Sequence, residues 1–266
     1  KVKFKMSILN KIIANKKKEV ELKKKLFPTN YLEKSPLFDR KTYSLTKKLK
    51  SSESGIIAEH KRRSPSKSVI NNSSTVTEVV KGYQAAGVCG ISVLTDLKFF
   101  GGSIEDLNAA RAESELPLLR KEFFIDTYQL IEAKAHGADV ILLIAAILNR
   151  NEIKLLSETA KDLNLEVLLE VHNDKELKKS IMPSLDLIGV NNRNLKTFEV
   201  DLETSKSLAA KIPDNFVKVS ESGISNVDLI KDLKTFGFQG FLIGENFMKS
   251  TDPGDSALNF IKKLSL

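Results

Sequence analysis

The chain has 266 residues, 41% of them apolar, and a formal charge of +8, enough to bury a full core without staples as one large α/β domain or two small ones. A single cysteine, Cys89, excludes an internal disulfide framework and reads as a buried, inert thiol; His60, His136 and His172 are scattered without a paired cysteine, so no metal site of ordinary ligand spacing is expected. No apolar run approaches the roughly 18 to 20 residues of a membrane span and no secretory signal pattern opens the chain, so a cytoplasmic enzyme with no membrane partner is expected.

Sixteen of the 42 Lys and Arg stand in residues 1–50, against four of the 34 Asp and Glu, so this segment carries +12 and the remainder −4. The runs Lys16-Lys17-Lys18 and Lys23-Lys24-Lys25 flank apolar positions at helical spacing and read as solvated helix faces rather than a nucleic-acid surface. Ile8, Ile12, Ile13, Val20 and Leu22 predict one amphipathic helix, and Leu45 to Leu49 a short second one. Residues 1–50 are thus expected to form a helical leader packed on a main domain of residues 51–266, since so short a segment buries little core alone. Residues 1 to 5 stand before Met6 and outside this pattern.

From Gly55 to Glu245 one theme recurs: a short apolar run, a turn, then an amphipathic stretch. The runs are Ile56 to Ala58, Ile91 to Leu94, Leu118 to Leu119, Val140 to Ile144, Glu166 to Leu169, Leu187 to Val190, Phe216 to Val219 and Phe241 to Ile243. Their starts lie 21 to 35 residues apart, the length of a strand, a helix and two short loops. Continuous apolarity is the mark of parallel strands covered on both faces. The stretches between read as helices over Thr75 to Ala86, Ile104 to Ala112, Thr127 to His136, Asn151 to Leu163, Asp174 to Ser180, Leu202 to Lys211, Asn226 to Phe236 and Asp255 to Leu264. Asn226 and Asp174 are expected caps, and Gly87, Gly137 and Gly237 expected stops. Eight such units predict a (β/α)8 TIM barrel with an N-terminal helical extension. A doubly wound open sheet is the alternative, but it needs a Gly-rich phosphate turn after the first strand, and Glu59-His60-Lys61-Arg62-Arg63-Ser64 is not one.

In a barrel the site lies at the C-terminal strand ends. The first strand ends in Glu59 and Lys61, the third in Lys121, the fifth in Glu170, the sixth in Asn191 and Arg193, the seventh in Glu221 and Ser222, the eighth in Gly244 and Glu245. Such convergence is either an ion-pair lattice closing the barrel top or acid/base machinery for an anionic substrate, and the joint pattern favours the second. Lys121 follows Arg120 with no acid on its own side of the strand, and a neighbouring cation lowers a lysine's pKa toward use as an acid. Gly223 and Gly244 let backbone N–H groups approach a ligand where barrels commonly bind phosphate.

These residues resemble a family. Ile57-Ala58-Glu59-His60-Lys61-Arg62-Arg63-Ser64-Pro65-Ser66-Lys67 is similar to the signature of indole-3-glycerol phosphate synthases. Ser92-Val93-Leu94-Thr95-Asp96 with Phe99-Phe100-Gly101-Gly102-Ser103, Leu119-Arg120-Lys121-Glu122-Phe123, Leu169-Glu170-Val171-His172, Gly189 to Leu195 and Ser220 to Ile224 continue it in order, and Met6 to Glu19 resembles the family's leader helix. His60 stands where the family usually has an apolar or aromatic residue and should point outward into the helix layer. Ser68 stands where glycine is common, so the first loop is expected to bend differently.

The resemblance implies conversion of 1-(o-carboxyphenylamino)-1-deoxyribulose 5-phosphate to indole-3-glycerol phosphate with release of carbon dioxide and water, without a cofactor; no step calls for a metal, and a monomer is expected rather than an oligomer. It implies Lys121 as general acid, Lys61 on the substrate carboxylate, and Glu59 and Glu170 as acid/base partners. Asn191, Arg193, Glu221 and Ser222 would position the sugar chain, Ser64, Gly223, Gly244 and Glu245 the phosphate, and Phe100 and Phe123 would wall the aromatic ring. Another phosphate-binding barrel, such as phosphoribosylanthranilate isomerase, is the enzymatic alternative, and a non-catalytic barrel binding a polyanion through its leader the alternative of another class.

Overall fold

The computed structural model describes residues 7–265. Met6 and the five residues before it, read above with the leader, lie outside the described residues. In chain order α1 is Ile8–Leu26, α2 Thr29–Leu32 and α3 Leu45–Lys50; β1 is Ile56–His60, followed by α4 Val76–Ala86. β2 (Gly90–Leu94) leads to α5 (Leu97–Phe100) and α6 (Ile104–Glu113), β3 (Leu118–Lys121) to α7 (Thr127–Ala135), and β4 (Val140–Ile144) to α8 (Arg150–Asp162). β5 (Glu166–Val171) leads to α9 (Asp174–Ser180), β6 (Leu187–Asn191) to α10 (Glu203–Ala209), β7 (Val217–Glu221) to α11 (Val227–Thr235), and β8 (Gly240–Ile243) to α12 (Glu245–Met248) and α13 (Pro253–Leu264).

The eight strands pair in parallel, each with the next, and β8 returns to β1 with Leu242 opposite Ile57, closing the barrel. Strands β1, β2, β4 and β7 are buried at every position, the physical origin of the unbroken apolar runs. Alternate residues divide between two clusters. Ile57, Leu119, Leu142, Leu168, Val219 and Leu242 fill the barrel, while Ile56, Ala58, Ile91, Leu143 and Leu169 meet the helix layer. Helix starts are chemically specified: Thr75 with Glu78, Ser103 with Asp106, Asp126 with Gln129 and Asn149 with Glu152 form capping boxes. The cap of α9 is Asn173, whose side chain accepts from Glu176 N, and not Asp174.

The two expected leader helices are present, but the leader is built into the barrel more deeply than its charge suggested. Leu45 and Leu49 of α3 are fully buried within the inner cluster. They plug the N-terminal end, where a Cβ on Gly90 or Gly240, the first residues of β2 and β8, would come within 2.7 Å of Leu45 or 3.2 Å of Leu49. On α1 the buried stripe is Ile12, Lys16 and Val20, spaced four apart on one face. Leu22, expected on that face, is 57% exposed, because two residues beyond Val20 the helix has turned to its far side. Lys17 and Lys18 are exposed as expected, but Lys16 is not on a solvated face: it is 1% exposed and meets Asp96 at 3.0 Å and Glu122 at 3.0 Å.

Candidate active site

At the C-terminal ends of the strands a cavity of about 360 Å³ opens, and all fourteen residues singled out from the sequence line it. Glu59 and Lys61 come from β1 and the turn after it, Ser64 from the following loop, Phe100 from α5, and Lys121 and Phe123 from the end of β3. Glu170 rises from β5, Asn191 and Arg193 from β6, Glu221, Ser222 and Gly223 from β7, and Gly244 and Glu245 follow β8. Strand β4 contributes only Leu142 and Ile144 to the floor.

Lys121 lies among carboxylates from across the mouth: its Nζ is 2.5 Å from Glu221 Oε2 and 3.7 Å from Glu170 Oε2. Lys61 Nζ is 2.7 Å from Glu59 Oε1, and Ser92 Oγ donates to Glu59 Oε2 at 3.3 Å. The expectation that Arg120 would lower the pKa of Lys121 is overturned. Arg120 points away, into the helix layer, where it meets Glu132 at 2.6 Å and lies over the Phe124 ring. Burial opposes the charge on Lys121, but Glu221, Glu170 and Glu59 outweigh it and push its pKa up. Burial likewise opposes Glu59, which Lys61 and Lys121 nevertheless hold below the usual carboxylate range. In Glu221 burial prevails over Lys121, and with the nearby charges of Glu170 and Glu59 it pushes the carboxyl up to about 7. The cluster therefore holds one more carboxylate than lysine and keeps a shared proton near neutral pH.

The end of β7 turns through two successive residues of positive φ, Ser222 at 69° and Gly223 at 82°, with Val200 packed against the place of a Gly223 side chain. Buried Asn192 fixes this turn by donating to Ser220 Oγ and to the Glu221 and Ser222 carbonyls. At Gly244 an added Cβ would lie 2.7 Å from Glu59 Oε1, so the glycine is required by Glu59 as well as by any ligand. The loop after β1 folds back through Ser64 and Lys67, joined by two backbone hydrogen bonds, and Lys67 reaches Glu245 at 3.1 Å. Ser68 is not among the residues of positive φ, so no glycine is needed there. Burial opposes the charge of Glu245, yet Lys67, Lys61 and Arg193 hold its pKa low, which marks this end of the cavity as cationic.

The opposite wall is apolar. Phe100 and Phe123 stand 5.9 Å apart, tilted 40°, and Ile8, Leu9 and Ile12 of α1 complete the surface. The helical spacing of Ile8 and Ile12 announced an apolar face, but not what it covers. His60 points outward as expected. Burial and the neighbouring Arg62 push it down to about 4, while Arg62 itself pairs with Asp106 of α6. His172 and Glu176, behind Glu170, were not singled out from the sequence. Among the described residues no group of three or more His, Cys, Asp or Glu side chains is arranged to hold a metal ion, and no helix is long and apolar enough to cross a membrane.

A family model described as indole-3-glycerol phosphate synthase matches residues 9–260. An indole-3-glycerol phosphate synthase of Bacteroides thetaiotaomicron is 49% identical over 257 residues, covering 97% of this chain and 98% of that one. One of Campylobacter jejuni is 39% identical, covering 93% and 97%. Among solved structures, 3-hexulose-6-phosphate synthase from Salmonella typhimurium superposes with a TM-score of 0.62 at 15% identity, covering 79% of this chain and 98% of that one. A tryptophan synthase complex from Pyrococcus furiosus gives 0.58 at 16% identity, covering 79% and 97%; at such identities the likeness is one of fold.

Proposed function

The chain belongs to the indole-3-glycerol phosphate synthase family, carboxy-lyases of tryptophan biosynthesis, and from that premise we propose how the residues of its barrel mouth divide the reaction. The substrate, 1-(o-carboxyphenylamino)-1-deoxyribulose 5-phosphate, carries an aromatic ring at one end, a phosphate at the other and a ketone between. The observation that carries the assignment is the matching polarity of the cavity: Phe100, Phe123 and the leader at one end, the cationic surround of Glu245 at the other, and Lys121 among its carboxylates between them.

In ring closure the carboxylate-bearing ring carbon attacks the ketone, and Lys121 gives its proton to the developing alkoxide. An alkoxide is a stronger base than an amine, so the transfer is downhill even with the lysine pKa raised. Carbon dioxide leaves, and its electron pair neutralises the iminium nitrogen. In dehydration an acid delivers a proton to the leaving hydroxyl and a base removes a proton from the ring carbon. Lys61 grips the substrate carboxylate and then serves the hydroxyl, with Glu59 and Glu170 as acid/base partners. Phe100 and Phe123 wall the aromatic ring. Asn191, Arg193, Glu221 and Ser222 position the sugar chain, while Ser64 and the backbone N–H groups near Gly223, Gly244 and Glu245 take the phosphate. Incubation with the carboxyphenylamino deoxyribulose phosphate, followed by indole fluorescence, tests the activity directly, and absence of product would reject it.

Lys61→Ala is expected to weaken substrate binding and turnover together, each by roughly tenfold or more, because a carboxylate clamp acts in the ground state as well as the transition state. A change confined to turnover would move the clamp elsewhere. Gly244→Ala places a methyl group against Glu59 and narrows the phosphate end, so KM should rise and turnover fall, each by roughly tenfold, as expected when binding and transition-state contacts are lost together. An unchanged KM would remove the phosphate from this end.

We read the protein as a monomeric, cytoplasmic enzyme acting without nucleic acid, with residues 1–50 as leader and 51–266 as catalytic barrel. The internal use of leader charge supports this: Lys16, Lys23 and Lys24 are spent on Asp96, Glu122, Glu132 and Asp126. Salt-dependent retention on a polyanion without turnover would favour a binding protein instead.

A further inference from the structure

The reaction draws one proton from solvent in each turnover. Ring closure gives a proton to the ketone oxygen and dehydration a second to the leaving hydroxyl, whereas only the ring carbon returns one. Lys121, having given its proton, has to be recharged.

Behind it lies a short line of protonatable groups, Glu170, His172 and Glu176, of which the last two have no part in the steps of ring closure and dehydration. Glu170 bridges two partners with its two oxygens: Oε2 is 3.7 Å from Lys121 Nζ, and Oε1 is 3.4 Å from His172 Nε2. The other ring nitrogen, Nδ1, is 3.1 Å from Glu176 Oε2. Glu176 is itself fixed, accepting from the His172 backbone N–H at 2.9 Å and from Asn173 Nδ2 at 2.8 Å, so it orients the imidazole. The Nε2 atom is buried and, although within ion-pair distance of Glu170, makes no aligned hydrogen bond, so it is free to pass a proton to that carboxylate. The outer end of the line is more open, the Glu176 side chain being 17% exposed.

We propose that His172 is a relay residue that recharges Lys121 through Glu170. The inference rests on the assignment of Lys121 as general acid. In the step, the Nε2–H bond of the imidazolium breaks, its electron pair stays on nitrogen, and an O–H bond forms at Glu170 Oε1. The carboxyl group turns about its last bond, a broad and roughly two-fold torsion. That O–H bond then breaks and an N–H bond forms on the neutral Lys121 amine. Lys121 is charged again, Glu170 is ionised, and the neutral imidazole takes its next proton from solvent once the product has left. Three carboxylates act on His172, Glu170 from β5, Glu176 from α9 and Glu221 from β7, with Lys121 beyond Glu170 and Glu221. Burial opposes the charge of His172, but together the carboxylates raise its pKa, which favours the imidazolium.

The test separates the first turnover from later ones. In His172→Gln, with enzyme in excess over the carboxyphenylamino deoxyribulose phosphate, the charged Lys121 present at the start should complete one turnover within about twofold of the unaltered rate. Steady-state turnover should fall by roughly tenfold, less than the loss of the acid itself, and millimolar imidazole buffer should restore it. Glu176→Gln, which keeps the ring but removes its anchor, should show the same selective loss and decides the matter if His172→Gln does not fold. Unchanged steady-state rates, or equal losses in single and repeated turnover without buffer rescue, overturn the relay. Lys121→Ala, run alongside, should lose the first turnover itself, so a failure of the Lys121 assignment shows separately, as a retained first turnover in that variant.

Discussion

Lys121→Ala is expected to lower turnover by roughly a hundredfold or more while leaving substrate binding nearly unchanged, the usual consequence of losing a general acid. Its proton is needed only as charge develops on the ketone oxygen, and its ground-state partners are the protein's own Glu221 and Glu170. Removing the lysine leaves these two carboxylates facing each other in a buried site. Burial already pushes Glu221 up to about 7 against the pull of the lysine, so without Lys121 it should hold a proton to higher pH still. Glu221 can thus remain neutral in the variant, which limits the loss of stability and supplies a weak substitute acid. Residual turnover should accordingly fade as pH rises and Glu221 ionises. Turnover and KM measured by indole fluorescence across pH decide the point, and near-normal turnover in Lys121→Ala would remove the general acid from this position.

The neighbours of Lys121 illustrate what the sequence could and could not disclose. Each strand was legible because burial on both faces leaves an unbroken apolar run, and each polar strand end was legible because the barrel fixes where a strand must stop. Who meets whom across the mouth was not. Arg120 is adjacent to Lys121 in the chain yet faces the helix layer, while Glu170 and Glu221, 49 and 100 residues further on, supply its surroundings once the barrel closes. Period and capping chemistry located α4, α7 and α11 to within a residue or two. They were silent on the four-residue helices α2, α5 and α12, which are too short to show a period. Glu176, six residues past Glu170 on the next helix, became relevant only when α9 folded back over the strand end.

Lys16 was the least legible residue of all, and its replacement carries the largest expected effect on stability. Lys16→Met should destabilise the fold by about 3 kcal/mol or more, the usual cost of breaking a buried ion pair from one side. In sequence it is one lysine of a basic run. In the fold it is 1% exposed and holds Glu19 at 2.8 Å, Asp96 at 3.0 Å and Glu122 at 3.0 Å. Burial opposes its charge, and the three carboxylates outweigh that and raise its pKa. Glu122 accepts in turn from the Phe123 backbone N–H and from Thr95 Oγ, which accepts from Arg120 Nε, and Arg120 and Lys23 both pair with Glu132. This network stitches the leader to β2, β3 and α7, with Phe123 of the cavity wall at one of its nodes. A methionine fills the space but strands two buried carboxylates. Since α1 also presents Ile8, Leu9 and Ile12 to the cavity, loosening it should raise KM as well. Lys24→Met is the matched control: Lys24 pairs with Asp126 at 2.6 Å, but both side chains are substantially exposed, at 45% and 30%, and such a pair contributes about 1 kcal/mol or less. Urea unfolding of the two variants side by side tests the assignment. If Lys16→Met proves no more costly than Lys24→Met, the leader is held by its apolar face alone and the buried network does not anchor it.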